Sequence, residues 1–244
     1  MRKAIGIIIL IMATASLQLI AQQNFASISF GASVSLNDYA ATGDLASNGY
    51  ARTGGAIKFD GAYFPVSYLG IGASFGFGSN YVLRDSLVND MVAYIEDNTP
   101  GGVDIPEDAE IQYGSGFWNY FNMFIGPHFS IRASQKLYFD FRGLAGLSVI
   151  RSPDQELTIT YDGNSIYNRT DQTNAAFGWT AGGGVRIMLN SNIALKLSAD
   201  YVQTKSKNTY TFGLYEGIID DIPPLDAEFY VQTLEITAGL AYSF

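Results

Sequence analysis

The sequence predicts an all-β protein in which eight antiparallel strands form an up-and-down barrel that spans a membrane. Three observations support this: an export signal at the N-terminus, eight segments in which apolar residues alternate with small or polar ones, and connections that are alternately short and long. Alternation with period 2 gives a strand two different faces. In a barrel within lipid, the apolar face points outward and the polar face lines the interior.

Residues 1–21 have the layout of a secretory signal peptide. Arg2 and Lys3 precede an apolar run over residues 4–13, and small and polar residues then lead to Ala21. We expect cleavage after Ala21, with residues 13–15 as an alternative, earlier site. The run is shorter than the ~20 apolar residues that a helix needs to cross a bilayer. Residues 22–244 are then predicted to form one β-barrel domain.

The last strand shows the alternation most clearly. One face is apolar and consists of Leu234, Ile236, Ala238, Leu240, Tyr242 and Phe244. The other face is small or polar, and Glu235 is its single acid. We expect the apolar face to contact lipid and Glu235 to pair with a cation inside the barrel.

The connections between the strands alternate in length. Short turns are predicted at 65–66, 133–136 and 190–192, and long loops at 37–55, 79–115, 151–175 and 205–228. Short turns at one end and long loops at the other are typical of outer-membrane barrels, whose loops face outward. The pattern therefore predicts four long extracellular loops.

Two loop segments have local structure of their own. Asp162-Gly163, between the alternating residues 157–161 and 165–167, predicts a hairpin. Two further barrel strands here would make ten; we favour a hairpin above the membrane, because charged residues crowd its ends. Residues 86–97 are predicted to form a short helix.

The charged residues divide between loops and strands. Four acids and four cations lie on the polar faces of strands: Lys58, Asp60, Asp140, Arg142, Arg186, Lys196, Asp200 and Glu235. The interior of an eight-stranded barrel is just wide enough for side chains to fill it, and an unpaired charge there is costly. We therefore predict an ion-paired lumen, with a selectivity filter or proton path as the alternative. Most other acids lie in the long loops.

The composition argues against several classes of function. The chain has no cysteine, one histidine (His128) and a net charge of −9. These features give no metal, cofactor or catalytic pattern, and the acidic balance disfavours nucleic acid. His128 is expected near the turn-end rim. The acidic clusters at 104–110 and 220–221 offer oxygen ligands for divalent cations, but a solvated acidic surface is favoured.

Aromatic residues predict two belts, one at each membrane interface. The belt at the loop end consists of Phe77, Tyr81, Phe117, Trp118, Phe177, Trp179, Tyr201 and Phe229. The belt at the turn end consists of Tyr63, Phe64, Tyr68, Phe129, Tyr138, Phe139, Tyr242 and Phe244.

With these features, residues 22–244 resemble the small outer-membrane β-barrel family, which includes OmpX and the membrane domain of OmpA. The most specific resemblance is at the C-terminus, where Leu240, Tyr242 and Phe244 look like the signal read by the barrel-assembly machinery. The resemblance implies the outer membrane of a Gram-negative bacterium. It also implies contact with outer-membrane lipid and lipopolysaccharide.

Three functions are compatible with this reading. The first is a non-enzymatic barrel with a closed lumen, which has a structural role or meets an extracellular or envelope protein through its loops. The second is a narrow channel or small-solute transporter, and the third is a soluble lipocalin-like carrier. We favour the first, because equal numbers of acids and cations in the lumen predict a closed interior.

Overall fold

The structure is a computed structural model that describes residues 24–99, 104–106, 108–161, 164–170, 172–215 and 222–244. The predicted signal peptide, the Asp162-Gly163 turn and the acidic pair at 220–221 lie outside these residues. Part of the acidic cluster at 104–110 is inside, without Glu107.

The described part of the chain contains twelve strands and two helices. The strands are β1 (Phe25–Ser35), β2 (Gly54–Tyr63), β3 (Leu69–Asn80), β4 (Glu110–Ser115), β5 (Trp118–Arg132), β6 (Leu137–Arg151), β7 (Gln155–Tyr161), β8 (Asn164–Thr170), β9 (Thr173–Met188), β10 (Ile193–Tyr210), β11 (Phe212–Tyr215) and β12 (Leu225–Ser243). The helices are α1 (Asn37–Ala40) and α2 (Arg84–Asn98). Neither helix is long and apolar enough to cross a membrane.

Eight of the strands form a closed antiparallel barrel in the order β1-β12-β10-β9-β6-β5-β3-β2. The seam between the first and last strands is continuous, from Phe25 opposite Ser243 to Ser35 opposite Thr233. Closure satisfies the backbone hydrogen bonds that an open edge would leave unpaired in lipid. The predicted fold class of eight strands is confirmed.

The four remaining strands form a second sheet outside the barrel, in the order β11-β8-β7-β4. The hairpin of β7 and β8 belongs to this sheet, so the favoured eight-strand interpretation holds and the ten-strand alternative is wrong. The predicted helix at 86–97 is also confirmed, as α2.

Helix α2 packs against this second sheet, and we call the two together the cap. Leu87, Met91 and Ile95 of the helix are buried with Leu157 and Ile159 of β7 in one hydrophobic core. The helix and the hairpin, which were predicted as separate elements of two long loops, are therefore parts of one folded unit. Periodic apolar residues on α2 and alternation on β7 explain why these segments fold, since each buries one face against the other.

Two strand boundaries differ from the prediction. β10 and β12 stay paired beyond both ends of the expected loop 205–228, as far as Tyr210 opposite Leu225. The outward-facing residues of this extension are polar, so its sequence resembles that of a loop. β5, in contrast, ends at Arg132, directly before the turn predicted at 133–136. Its ladder with β6 breaks at Gly126 and Pro127, because proline has no N–H to donate.

The predicted aromatic belts are wrong at four positions. Phe64, Trp118, Tyr138 and Phe229 are all buried, at 3% exposure or less. Trp118, Tyr138 and Phe229 occupy positions whose side chains point into the barrel, and Phe64 packs near Phe25 below the lumen. The other belt residues are exposed, apart from the half-buried Tyr201: Tyr63, Tyr68, Phe77, Tyr81, Phe117, Phe129, Phe139, Phe177, Trp179, Tyr242 and Phe244.

The cap core offers a test of its independence from the barrel. Met91 is 0% exposed, so Met91→Ala should destabilise the cap by about 2–5 kcal/mol through lost contacts and a cavity. Hydrogen exchange measured by mass spectrometry should become faster in α2 and β7 and stay unchanged in the barrel strands. Asn89→Ala, at an exposed position of the same helix, is the control. Equal loss of protection in the barrel strands would contradict a separately folded cap.

Candidate functional site

The interior of the barrel is filled from the turn end to the loop end, and its first layer lies at the turn end. Here Arg186 donates to Asp140 through Nε (2.6 Å) and Nη2 (3.0 Å), and to Ser130 Oγ (2.9 Å). The guanidinium also lies over the ring of Phe25, 3.9 Å from its centroid. The guanidinium of Arg186 and the ring of Phe25 form a cation–π contact that closes the turn end of the lumen.

His128 lies inside this first layer and not at the rim, where it was expected. It is 1% exposed, because the even-numbered side chains of β5 point inward. The edges of its ring meet Phe25 and Phe64, with centroids 5.5 and 5.6 Å apart. His128 Nε2 is 3.7 Å from Asp140 Oδ1, which is longer than a hydrogen bond.

Six of the eight predicted lumen charges form one continuous chain in the middle layer. In order, the chain is Glu235, Lys58, Asp200, Arg142, Asp60 and Lys196. Lys58 Nζ is 2.9 Å from Asp200 Oδ2, and Arg142 Nη1 is 2.5 Å from Asp60 Oδ2. Arg142 Nε donates to Asp200 Oδ1 at 2.7 Å. Lys58 also contacts Glu235, and Lys196 contacts Asp60.

The structure thus divides the eight charges into two groups, a chain of six and the separate pair Arg186–Asp140. Each group has as many acids as cations. All eight side chains are at most 5% exposed, so the contacts replace water as hydrogen-bond partners. The chain of six joins β2, β6, β10 and β12 across the lumen, which ties opposite walls of the barrel together.

The middle layer depends on a glycine for space. Gly182 of β9 lies opposite Asp200, and a Cβ at Gly182 would come within 2.2 Å of Asp200 Oδ1. Any larger residue there would push the carboxylate away from Lys58 and Arg142. The glycine is therefore part of the charged site, although it carries no functional group.

A neutral hydrogen-bonded group continues from the chain toward the loop end. Tyr120 donates its hydroxyl to Glu235 Oε1 (2.9 Å) and lies 2.8 Å from Ser33 Oγ. Asn80 Nδ2 donates to the carbonyl of Ser33 at 2.8 Å. The Tyr120 ring lies over Gly78, where a Cβ would come within 2.0 Å of it.

An aromatic layer closes the loop end of the interior. Trp118 meets Tyr39 and Phe229 edge to face, with ring centroids 5.8 and 5.5 Å apart. Tyr39 comes from α1, in the first long loop, and is 0% exposed. Trp118 Nε1 donates to the carbonyl of Gly49 at 2.8 Å, so the same loop is held at two points.

The first loop is also attached to the cap. Tyr50 donates its hydroxyl to Asp90 Oδ2 of α2 at 2.5 Å, and the Gly43 N–H donates to the same oxygen at 2.9 Å. Burial, with the hydrogen bond and negative charge of Asp90, raises the pKa of the Tyr50 phenol. Tyr50 therefore remains a donor over the physiological pH range.

Sequence reasoning missed several residues of the interior. Phe124, Leu144 and Val202 form a small apolar cluster inside the lumen, and strict alternation from Tyr120, Arg142 and Asp200 would have placed them there. Tyr39 carried no such signal, because it lies in a loop whose path depends on Trp118.

The interior shows no arrangement for catalysis in the described residues. Ser130, His128 and Asp140 lie near one another, but Ser130 bonds to Arg186 and the group is buried under Phe25 and Phe64. The described residues also contain no cluster of three or more potential metal-ligating side chains.

The residues predicted as an insertion signal lie at the turn end of β12. Leu240, Tyr242 and Phe244 point away from the lumen and are 53%, 55% and 56% exposed. They form an apolar row on the outside of the barrel, whereas the side chain of Glu235 on the same strand points inward.

The chain was compared with known protein families and with solved structures. A family model described as outer membrane protein beta-barrel domain matches residues 7–244, while no curated protein matches the chain. Among solved structures, the chain is similar to Ail, the attachment invasion locus protein of Yersinia pestis, at 15% identity, covering 91% of this chain and 99% of that one, with a TM-score of 0.41. OprG of Pseudomonas aeruginosa is similar at 10% identity, covering 91% and 97%, with a TM-score of 0.47. The outer membrane protease OmpT of Escherichia coli is similar at 10% identity, covering 91% and 97%, with a TM-score of 0.42.

The chain of six charges makes a quantitative prediction. Lys58→Met should reduce the free energy of unfolding by about 3–5 kcal/mol, because Glu235 is left buried without its cation. The double variant Lys58→Met/Glu235→Gln should recover much of this loss. Urea unfolding of the protein in lipid vesicles measures both.

The exposed ion pair of Arg151 and Asp154, 50% and 62% exposed, is the matched control. Arg151→Gln should change the same free energy by about 1 kcal/mol or less. A loss for Lys58→Met no larger than that of the control would show that the buried chain does not stabilise the barrel.

Proposed function

Since the chain belongs to the outer membrane protein β-barrel domain family and lies in the outer membrane of a Gram-negative bacterium, we propose that it is a non-enzymatic, non-conducting barrel that presents the cap at the cell surface. The observation that carries this proposal is the filled interior. An aromatic and cationic layer, a balanced chain of charges and a second aromatic layer follow one another along the lumen. The cap then serves as the surface for an extracellular or envelope partner.

The ion pairs favour a structural role over conduction. An ion crossing the lumen would have to separate buried pairs such as Arg142–Asp60, which is costly in a low-dielectric interior. It would also have to pass Trp118 and Tyr39, which are 2% and 0% exposed. The narrow channel is therefore the weaker alternative.

A soluble carrier does not fit the surface of the barrel. Large apolar side chains cover the outer wall; Ile71 and Ile125, for example, are 59% and 62% exposed. The polar side chains line the interior, where a lipocalin-like carrier would need an apolar cavity. Leu240, Tyr242 and Phe244 on this wall would meet lipid and, during insertion, the barrel-assembly machinery.

Conductance measurements test whether the interior is closed to ions. In planar bilayers the purified protein should give no steady single-channel current, while a general porin in the same bilayers gives the positive control. Steady current in the wild type, changed in Arg142→Gln, would support the narrow channel instead.

Labelling tests the orientation, and the absence of native cysteine provides a clean background. A cysteine at Asp97, exposed on the cap, should react with a membrane-impermeant maleimide on intact cells. A cysteine at Ser134, in an exposed turn at the other end, should react only after the outer membrane is permeabilised. The reverse pattern would place the cap in the periplasm and contradict the proposal.

A further inference from the structure

The first long loop takes part in two separate hydrophobic cores. We call its residues 37–51 the plug. Leu45 and Tyr50 are buried in the core of the cap, together with Met91 of α2. Tyr39 and Ala51 are buried in the aromatic layer at the loop end of the lumen. Because one short segment belongs to both cores, a movement of the plug would change the cap and the barrel together.

The ring of Tyr39 is held at the loop end of the lumen by packing and not by its polar group. The hydroxyl is buried with the ring, but it has no hydrogen-bond partner among the residues that the structure describes. A buried donor without a partner is unfavourable, because water would satisfy it. Withdrawal of Tyr39 into water would therefore hydrate its hydroxyl.

The backbone of the plug is strained at Tyr50. This residue has a φ of 53°, in the left-handed region, which is a steric outlier for a bulky side chain. Such a conformation persists only when the surrounding structure holds it. Asn37, where the plug begins, is also left-handed with a φ of 49°, but asparagine adopts this conformation more readily. The strain is therefore concentrated at Tyr50.

The cap holds the plug through one carboxylate. Asp90 Oδ2 of α2 accepts hydrogen bonds from the Tyr50 hydroxyl at 2.5 Å and from the Gly43 N–H at 2.9 Å. We call these two hydrogen bonds the latch. Hydrogen bonds to an ionised carboxylate are stronger than those between neutral groups. The latch thus opposes the two features that disfavour the closed plug, the strained Tyr50 and the unpaired hydroxyl of Tyr39.

Two other hydrogen bonds exist only while the plug is closed. Trp118 Nε1 of the barrel donates to the carbonyl of Gly49 at 2.8 Å. Within the plug, the Ala51 N–H donates to the carbonyl of Tyr39 at 2.8 Å. Departure of Tyr39 from the lumen would break both, so their N–H groups report the state of the plug.

We propose that the plug is a conformational switch that couples the cap to the loop end of the lumen. While the latch is intact, Tyr39 fills the end of the lumen. When the latch is lost, Tyr50 relaxes from its left-handed conformation and Tyr39 withdraws into water. The chain of six charges below stays in place, so the barrel remains closed to ions. This switch belongs to the first loop and is independent of the identity of any partner of the cap.

Hydrogen exchange at Trp118 tests the switch in the protein in lipid nanodiscs. In a Trp179→Phe background, Trp118 is the single tryptophan of the chain, and its indole N–H gives one signal in NMR spectra. Tyr50→Phe removes the hydroxyl of the latch and keeps the ring in the cap core. Loss of a hydrogen bond to a carboxylate should raise the open fraction, and with it the exchange rate of this N–H, about tenfold or more. The Ala51 amide should become faster by the same factor, because the same movement exposes it.

A second variant tests the coupling from the side of the barrel. Coupling between two sites is reciprocal, so Tyr39→Ala should increase the exchange rate of the Gly43 amide, which belongs to the latch. Tyr94→Phe is the matched control. It removes a tyrosine hydroxyl that donates from the same helix to the carbonyl of Pro223 at 3.2 Å, away from the plug. The exchange rate at Trp118 should not change in this control.

Three outcomes would overturn the proposal. The first is an equal exchange rate of the Trp118 indole in Tyr50→Phe and in Tyr94→Phe. The second is an unchanged Gly43 amide in Tyr39→Ala. The third is an equal acceleration in the plug, α2 and the barrel strands of Tyr50→Phe, which would show a general loss of stability and not a movement of the plug.

Discussion

Lipid around a membrane-spanning sheet satisfies no hydrogen bonds, and this constraint determines where the polar groups of the eight strands lie. Closing the seam between β1 and β12 pairs the backbone, and polar side chains then have only the interior to occupy. That space is just wide enough for side chains, so acids and cations must meet directly. The chain from Glu235 to Lys196 and the pair Arg186–Asp140 are the result.

The charged contacts depend equally on positions without side chains. Gly182 leaves room for Asp200, and Gly78 leaves room for the Tyr120 ring that reaches Glu235. Small residues on one strand thus allow large ones on its neighbour to turn into the lumen. Glycines and large side chains on neighbouring strands together fill the interior continuously, from Phe25 at one end to Trp118 at the other.

The alternation of residue types was enough to predict the number of barrel strands, because each strand meets lipid on one side and packed side chains on the other. It could not tell which acid meets which cation, since that depends on the stagger between strands. The cap was only partly predictable. The helix at 86–97 and the hairpin of β7 and β8 have local signals, but their packing joins segments far apart in the chain. Trp118 was predicted in the loop-end belt because it is aromatic, although the alternation along β5 places its side chain inside the barrel.

The assembly of the cap has a consequence for the order of folding. Its strands come from three connections: β4 follows β3, the β7–β8 hairpin follows β6, and β11 follows β10. None of these connections can bury Met91 or Leu157 alone, so the cap core requires neighbouring barrel strands to be in place first. In the proposed orientation all three connections must cross the membrane before the complete cap can form. Once the cap has formed, its connections can move back across the membrane only if its buried core unfolds. The cap therefore opposes withdrawal of the inserted barrel from the membrane.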